Sequence, residues 1–430
     1  GVGEGTMASP RIAVLGGGIT GTLLASSLRN ALGTAEVHIF EMGRGFGGRM
    51  STRRACPDQG LGVIAVNHGA PGFGASTPAF KAIVDDLCQA GVVAQFTGNA
   101  HRVEYSAPGS GRATPVCAED LGRPFGWCGT PSMSAICDHL GQPFREAKTA
   151  HFSTMIAKIG IASGGGYELH DRDGRSLGIF DRVCATSHTL GHSRFQQIFN
   201  LPPPLARLAD ESVSPSLRKV VDLIEQVQSD PVSALMVAYP CAQAPMLAGL
   251  PFDVCEVAGH PILSKVSRSS SDGGHVTLIA HSTPGFAQAN LKAQGRTSAA
   301  ARMGARDVCG LEEQALGALE EGLMDVLGVF GCARALPRPS WGPFLHRWGS
   351  AFPLELPSRE AGELATAISR LASETGITVC GDFVPRQSVQ HAHATGGGGS
   401  QVGSVEHAAL SALAASESIV ADYFRSPRSR

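Results

Sequence analysis

The chain has 430 residues, a net charge of −2 and 43% apolar content, enough for two or three units with packed cores. Its Lys and Arg are dispersed rather than gathered in a stripe, which argues against nucleic acid as a partner, and no run reaches the ~20 apolar residues of a transmembrane helix. Eleven cysteines, odd in number and never spaced C-x-x-C, argue against a structural zinc site or a disulfide framework and predict reduced thiols in an intracellular compartment, cytoplasm or plastid.

The six residues ahead of Met7, GVGEGT, are open to two readings: an added extension, or a mature end left by removal of a transit peptide. Ile12 to Leu15 is a short apolar run of β type. Gly16-Gly17-Gly18-Ile19-Thr20-Gly21 follows at once, and then the helical spacing of Leu23, Leu24, Ser27 and Leu28. Strand, glycine turn and helix in this order begin a βαβ nucleotide-binding unit. Gly16 makes the tight turn, Gly18 lets backbone approach a pyrophosphate, Gly21 lets helix pack on strand, and Ile19 and Thr20 open the helix toward the anion.

A second β-type run, Val37 to Phe40, ends in Glu41, about twenty residues beyond Gly21. A carboxylate there is placed to accept ribose hydroxyls and disfavours a 2′-phosphate, so FAD or NAD is expected over NADP; a solvated strand end is the plain alternative. Directly after it comes Gly43-Arg44-Gly45-Phe46-Gly47-Gly48-Arg49-Met50-Ser51-Thr52-Arg53-Arg54. Glycines permit positive φ, and a guanidinium among them pairs with phosphate in bidentate fashion, which points to FAD with Gly48, Arg49 and Met50 as contacts.

The run from Arg11 to Arg54 resembles the renalase-like branch of the FAD-dependent amine oxidase superfamily, where such glycines, a ribose carboxylate and a G-G-R-M-[ST]-T-R-R run occur together. Asn67-His68-Gly69-Ala70 is similar to that family's D-H-G-A-Q, with Pro71 in place of Gln and the following aromatic pair reduced to Phe73. From Thr77 to Gly91 the spacing of Phe80, Ile83, Val84 and Leu87 predicts an amphipathic helix, and residues 97 to 126 a loop or hairpin. Gly129 to Ile136 is similar to the family's V-P-G-M-S-A-L segment. Thr154 to Ile161 and Gly166 to His170 read as paired strands, and Arg182 to Ser187 as a strand returning to the nucleotide, followed by His188 at a turn.

Beyond Pro202-Pro203-Pro204 a new unit is expected, with a helix over Ser214 to Gln228 and strands over Ser233 to Tyr239, Pro261 to Ser267 and His275 to His281. Pro261 to Phe286 resembles the family's substrate sheet, but Lys265 stands where the family has Trp. A lysine near flavin N5 can hold a water and influence hydride transfer, whereas a strand lysine can also simply snorkel. A helix with a solvated acidic face is predicted over Asp307 to Phe330. Leu345-His346-Arg347-Trp348 to Pro353 resembles the family's H-R-W-R-Y-A-x-P strand, making His346 a second candidate for proton transfer.

After a helix at Ala361 to Glu374, a strand over Ile377 to Val384 carries Gly381-Asp382, which the resemblance implies as a second FAD contact through Asp382. A last helix runs from Gly403 to about Tyr423, with Ser404 and Val405 at the flavin end. Between them lies an insertion, Pro385 to Gln401, with His391, His393 and four glycines. This spacing is too sparse for a metal site and reads as a loop that gates access or receives a protein partner.

The expected architecture is α/β: a Rossmann-like FAD-binding domain of the glutathione-reductase type (11–78, 126–195, 375–425) and a mainly antiparallel substrate domain (79–125, 196–374). The expected function is an FAD-dependent oxidoreductase taking hydride from a small reduced substrate and passing electrons to oxygen or another acceptor. The resemblance implies isomers of reduced nicotinamide dinucleotides as substrates. The alternative is a flavin-binding subunit without turnover.

Overall fold

The computed structural model describes residues 9–55, 63–107, 109–123, 125–212, 214–271, 274–303, 310–332, 336–390 and 401–425. His391, His393 and the glycines at 396–399 lie outside these residues. The first strand, Arg11–Leu15, is buried from Ile12 onward, as an uninterrupted apolar run must be when both faces of a parallel sheet are covered. It sits at the centre of five parallel strands in the order Ile377–Val379, Arg182–Ala185, Arg11–Leu15, Glu36–Phe40, Ala150–His151. The first helix, Ile19–Leu32, approaches this sheet so closely that a Cβ on Gly21 would stand 1.9 Å from the Gly16 carbonyl oxygen. The last helix, Val405–Arg425, lies along the first through small buried residues, Ala408, Ala409, Ala412 and Ala415.

A seven-stranded sheet forms the second layer, in the order Trp341–Pro353, Ser229–Pro240, His275–Ser282, Leu263–Ser271, Val254–Ala258, Ala100–Glu104, Arg112–Val116. All its pairings are antiparallel except that of Val254–Ala258 with Ala100–Glu104. Alternation along the strands gives it two different faces. Leu235, Val237, Val266, Leu278 and Leu345 pack against Leu316, Leu319, Leu323 and Val326 of the Leu311–Val329 helix. Each such fully buried aliphatic side chain contributes ~1.5–3 kcal/mol through removal from water. Ala234, Met236, Ala238 and Ile279, on the other face, meet Ile64 and Val66 of the short hairpin Thr52–Ala55/Ile64–Asn67. That hairpin joins the two layers.

The cores divide differently from the expected domain limits. Phe80, Val84 and Leu87 of the Pro78–Gln89 helix share the core of the parallel sheet, together with Leu205, Leu208, Leu217, Val220, Leu364 and Leu371. Residues 204–224 and 358–375 were expected in the substrate unit. With strongly one-sided apolar stripes, the Ser358–Thr375 helix covers the strand Ile377–Val379, the Pro215–Ile224 helix packs on that helix, and the Pro204–Glu211 helix lies on the strand Ile156–Ile161 instead. The expected strand over Ile377 to Val384 ends at Val379, because the backbone turns at Gly381 with φ +143°. Residues 97–126 contribute two strands to the large sheet, and Val254–Ala258, without a clear alternating pattern, adds another. The acidic face of the Leu311–Val329 helix is not wholly solvated: Glu312 is buried and accepts from the Arg296 amide. Among the described residues no helix is long and apolar enough to cross a membrane.

Candidate functional site

At the C-terminal edge of the parallel sheet the two glycine loops lie backbone to backbone. The Gly47 amide donates to the Gly17 carbonyl at 2.8 Å, and a Cβ on Gly48 would come within 3.1 Å of Gly18 Cα. Gly16, Gly47 and Gly48 all have positive φ, +121°, +132° and +52°, which only glycine adopts at low cost. Gly18 is the N-cap of the first helix; no side chain caps that turn and no acidic residue stands in it. Its N–H groups and the helix dipole are therefore directed at an open anion position, and the cradle fits a dinucleotide pyrophosphate. Ile19 and Thr20 are buried in this turn, and the Thr20 hydroxyl donates to the Ala408 carbonyl of the last helix.

Glu41 sits between the loops, accepting from the Gly17 amide at 2.7 Å and the Gly43 amide at 2.5 Å. Burial lifts its carboxyl above the ordinary carboxylate range, against the opposing pull of these two amides. The side chain expected to hold a ribose is thus already oriented by the two loops that would flank it.

Arg49 and Asp382, expected as separate cofactor contacts, meet each other. Nη1 and Nη2 of Arg49 donate to the two Asp382 oxygens at 2.5 and 2.6 Å, and Nη1 also reaches the Ala351 carbonyl at 3.0 Å. A carboxylate that is 3% exposed requires such a partner, and the fork geometry of arginine supplies it. The Asp382 carbonyl accepts from the Gly403 amide, and the Ser404 hydroxyl accepts from the His407 amide, so the start of the last helix at Val405 is docked on this pair. Met50 is buried beside it. Phe73 belongs to the core, edge-on to Phe80.

A cleft of about 910 Å³ runs from Glu41 along Gly43 to Gly48 and past Arg53 to His68, His346 and Trp348. His346, at its inner end, belongs to one rung of the large sheet. His346, Ala234, His281, Lys265, Glu256 and Arg102 are cross-strand partners in that order. Ala234 leaves room between the two histidines, and His68 of the hairpin packs there with its ring edge-on to His346 at 4.7 Å. The His68 carbonyl accepts from both His281 Nε2 and Trp348 Nε1 at 3.1 Å. Burial, then neighbouring cationic groups, brings His68 and His281 down to about 3 and holds His346 well below its usual value, so all three are neutral at physiological pH. Lys265 is half-buried; desolvation and the Arg123 charge bring it down to about 8, against Glu256.

Six arginines, Arg44, Arg53, Arg54, Arg145, Arg302 and Arg347, line the same cleft, together with Glu41, Asp138 and Glu146. Arg145 pairs with Asp138 at 2.8 Å, while the other five have no carboxylate partner among the described residues: Arg53 donates to Thr297 Oγ1 at 2.6 Å, Arg302 to the Thr297 carbonyl at 3.0 Å, and Arg347 to the Leu291 carbonyl. Burial and neighbouring arginines push both Arg53 and Arg347 down to about 10. Sequence reasoning placed Arg53, His68, His281 and Arg347 inside family-like runs without giving them roles, and Arg302 in none. For His281 and His346 the available signal was their place on strand-like runs; His68 directly follows one.

Residues 14–87 match the NAD(P)-binding Rossmann-like domain. Over nearly the whole chain the fold is similar to solved oxidases. Cyclohexylamine oxidase from Brevibacterium oxydans matches with a TM-score of 0.60 at 11% identity, covering 97% of this chain and 100% of that one. Putrescine oxidase bound to putrescine matches at 0.57 and 11%, covering 96% and 99%. An oxidoreductase from Methanosarcina mazei matches at 0.53 and 14%, covering 95% and 100%. The protein has the two-layer fold of these enzymes, a Rossmann-like unit with a separate, mainly antiparallel sheet.

Proposed function

We propose that the protein is an FAD-dependent oxidoreductase of the renalase-like type, taking hydride from a small reduced substrate and passing electrons to oxygen or another acceptor. The observation that carries this reading is the continuity of one cleft from the ribose carboxylate Glu41 to the His346–Trp348 end. Residues Gly16, Gly18, Gly21 and Glu41 would hold the adenosine and pyrophosphate, and the Gly48–Met50 segment, Asp382 and the start of the last helix at Ser404 and Val405 would hold the flavin end. Bound there, FAD supplies the hydride acceptor. The remaining work falls to the chain itself: the neutral His68 and His346 offer the substrate uncharged ring groups at the inner end, and the arginines set the sign of the substrate.

That sign separates this site from its amine-oxidising neighbours in fold. A cleft lined by six arginines against three carboxylates, Glu41, Asp138 and Glu146, carries a net positive charge that disfavours a protonated amine such as putrescine and favours an anion, which suits a reduced nicotinamide dinucleotide isomer. The test is anaerobic mixing of the yellow protein with such isomers and, separately, with putrescine. Rapid bleaching of the visible flavin band by the former alone is the expected result. A protein purified gently without flavin, or bleaching by the amine alone, would overturn the proposal.

A further inference from the structure

Arginine can only donate hydrogen bonds. Arg53 Nη2 lies 3.0 Å from His346 Nδ1, so Nδ1 is the acceptor and the ring proton of neutral His346 resides on Nε2. Arg53 is itself held, through Nη1 on Thr297 Oγ1, and His346 is clamped between the Trp348 ring at 4.1 Å and the His68 ring at 4.7 Å. Nε2 has no hydrogen-bond partner among the described residues, and His346 lines the cleft. We infer that His346 is a tautomer-locked hydrogen-bond donor, presenting Nε2–H to a carbonyl or carboxamide oxygen of the substrate, with Arg53 as its positioning residue.

This assignment differs from the proton transfer for which the sequence made His346 a candidate. A base at Nδ1 is blocked by Arg53, and Nε2 already carries its proton. Taking up a second proton would turn an N–H toward the Arg53 cation, and every group acting on the ring from its surroundings, His68, Arg53, Arg347 and His281, opposes that charge. A neutral imidazole of this kind polarises a carbonyl without removing a proton, and the loss of one such donor at a reacting centre costs ~10²-fold or more in rate.

The inference rests on the proposed hydride-accepting site for its catalytic part, but the tautomer can be read without turnover. In ¹⁵N NMR of the full chain, the imidazole signal that disappears in both His346→Gln and His346→Asn should show a bare Nδ1 and a protonated Nε2, with no titration in the ordinary histidine range. In Arg53→Met the lock is removed, and the same ring should show mixed tautomers and titrate closer to the ordinary histidine value, while Arg53→Lys, still a donor, restores the wild-type pattern. For substrate-driven flavin bleaching, His346→Gln, which keeps an amide N–H near the Nε2 position, should remain within ~10-fold of wild type, and His346→Asn should fall ~10²-fold. A ring protonated on Nδ1, titration near neutrality, or equal rates in the two variants would overturn the inference. A flavin-free protein with the expected NMR pattern would overturn the proposed function and leave the donor assignment standing.

Discussion

The two ends of the cleft are made by different means. At the nucleotide end the ligand-facing surface is backbone, glycine loops at positive φ and an uncapped helix, with Glu41 as its principal polar side chain. At the inner end it is side chains, His346, Arg347 and Trp348 of one edge strand with His68 beside them and further arginines around. Backbone sites tolerate little change at their glycines but ask little of other residues; side-chain sites can be re-specified one residue at a time. The first end therefore reports what is bound, and the second what is done with it.

This contrast can be broken most forcefully where the two ends meet. Arg49→Ala leaves Asp382 buried and unpaired, and a loss of ~3–5 kcal/mol in urea unfolding is expected, with bound flavin lost as well. A change below 1 kcal/mol would mean that the pair does not join the layers. Leu319→Ala, far from either end, should cost ~2–5 kcal/mol and leave the flavin content per folded molecule unchanged. Glu41→Ala should lower flavin retention with little effect on the rate of the flavin that remains; unchanged flavin content removes Glu41 from the ribose role. Arg302→Glu should raise KM for an anionic substrate ~10-fold or more, with stability altered by less than ~0.5 kcal/mol; an unchanged KM would detach the arginines from substrate choice.

The smallest effect is a pH dependence. The ammonium of Lys265 is disfavoured in the folded chain, so between about 8 and the ordinary lysine value of 10.5 the unfolded chain binds more protons and stability rises with pH. Lys265→Met should remove that rise, as measured by melting temperature against pH.

Much of the backbone end was legible in the sequence, because a glycine turn between an apolar strand and a helix is a local constraint: Gly16, Gly21 and the 43–48 loop are each demanded by the residues beside them. The side-chain end was not. Lys265 and His281 stood on recognisable strands, but that they share a rung with His346 follows from register, which strand sequences alone leave open. Arg49 and Asp382 were both singled out, yet their mutual pairing depends on a fold that brings together residues 333 positions apart. The helices at 204–224 and 358–375 were assigned to the other unit because sequence adjacency favoured it, while their apolar stripes had a nearer core to join.

That separation of 333 positions has a consequence for biogenesis. At translation rates of about 5–20 residues per second, roughly 15–70 s pass between synthesis of the Arg49 loop and synthesis of Asp382. Throughout that interval the first helix lacks the Val405–Arg425 helix that covers its flank, and the 182–185 strand lacks its outer neighbour at 377–379. The first segment made is the last to be completed. Chaperone demand should therefore peak late in synthesis, and pulse-labelled chains should acquire protease resistance only after release from the ribosome.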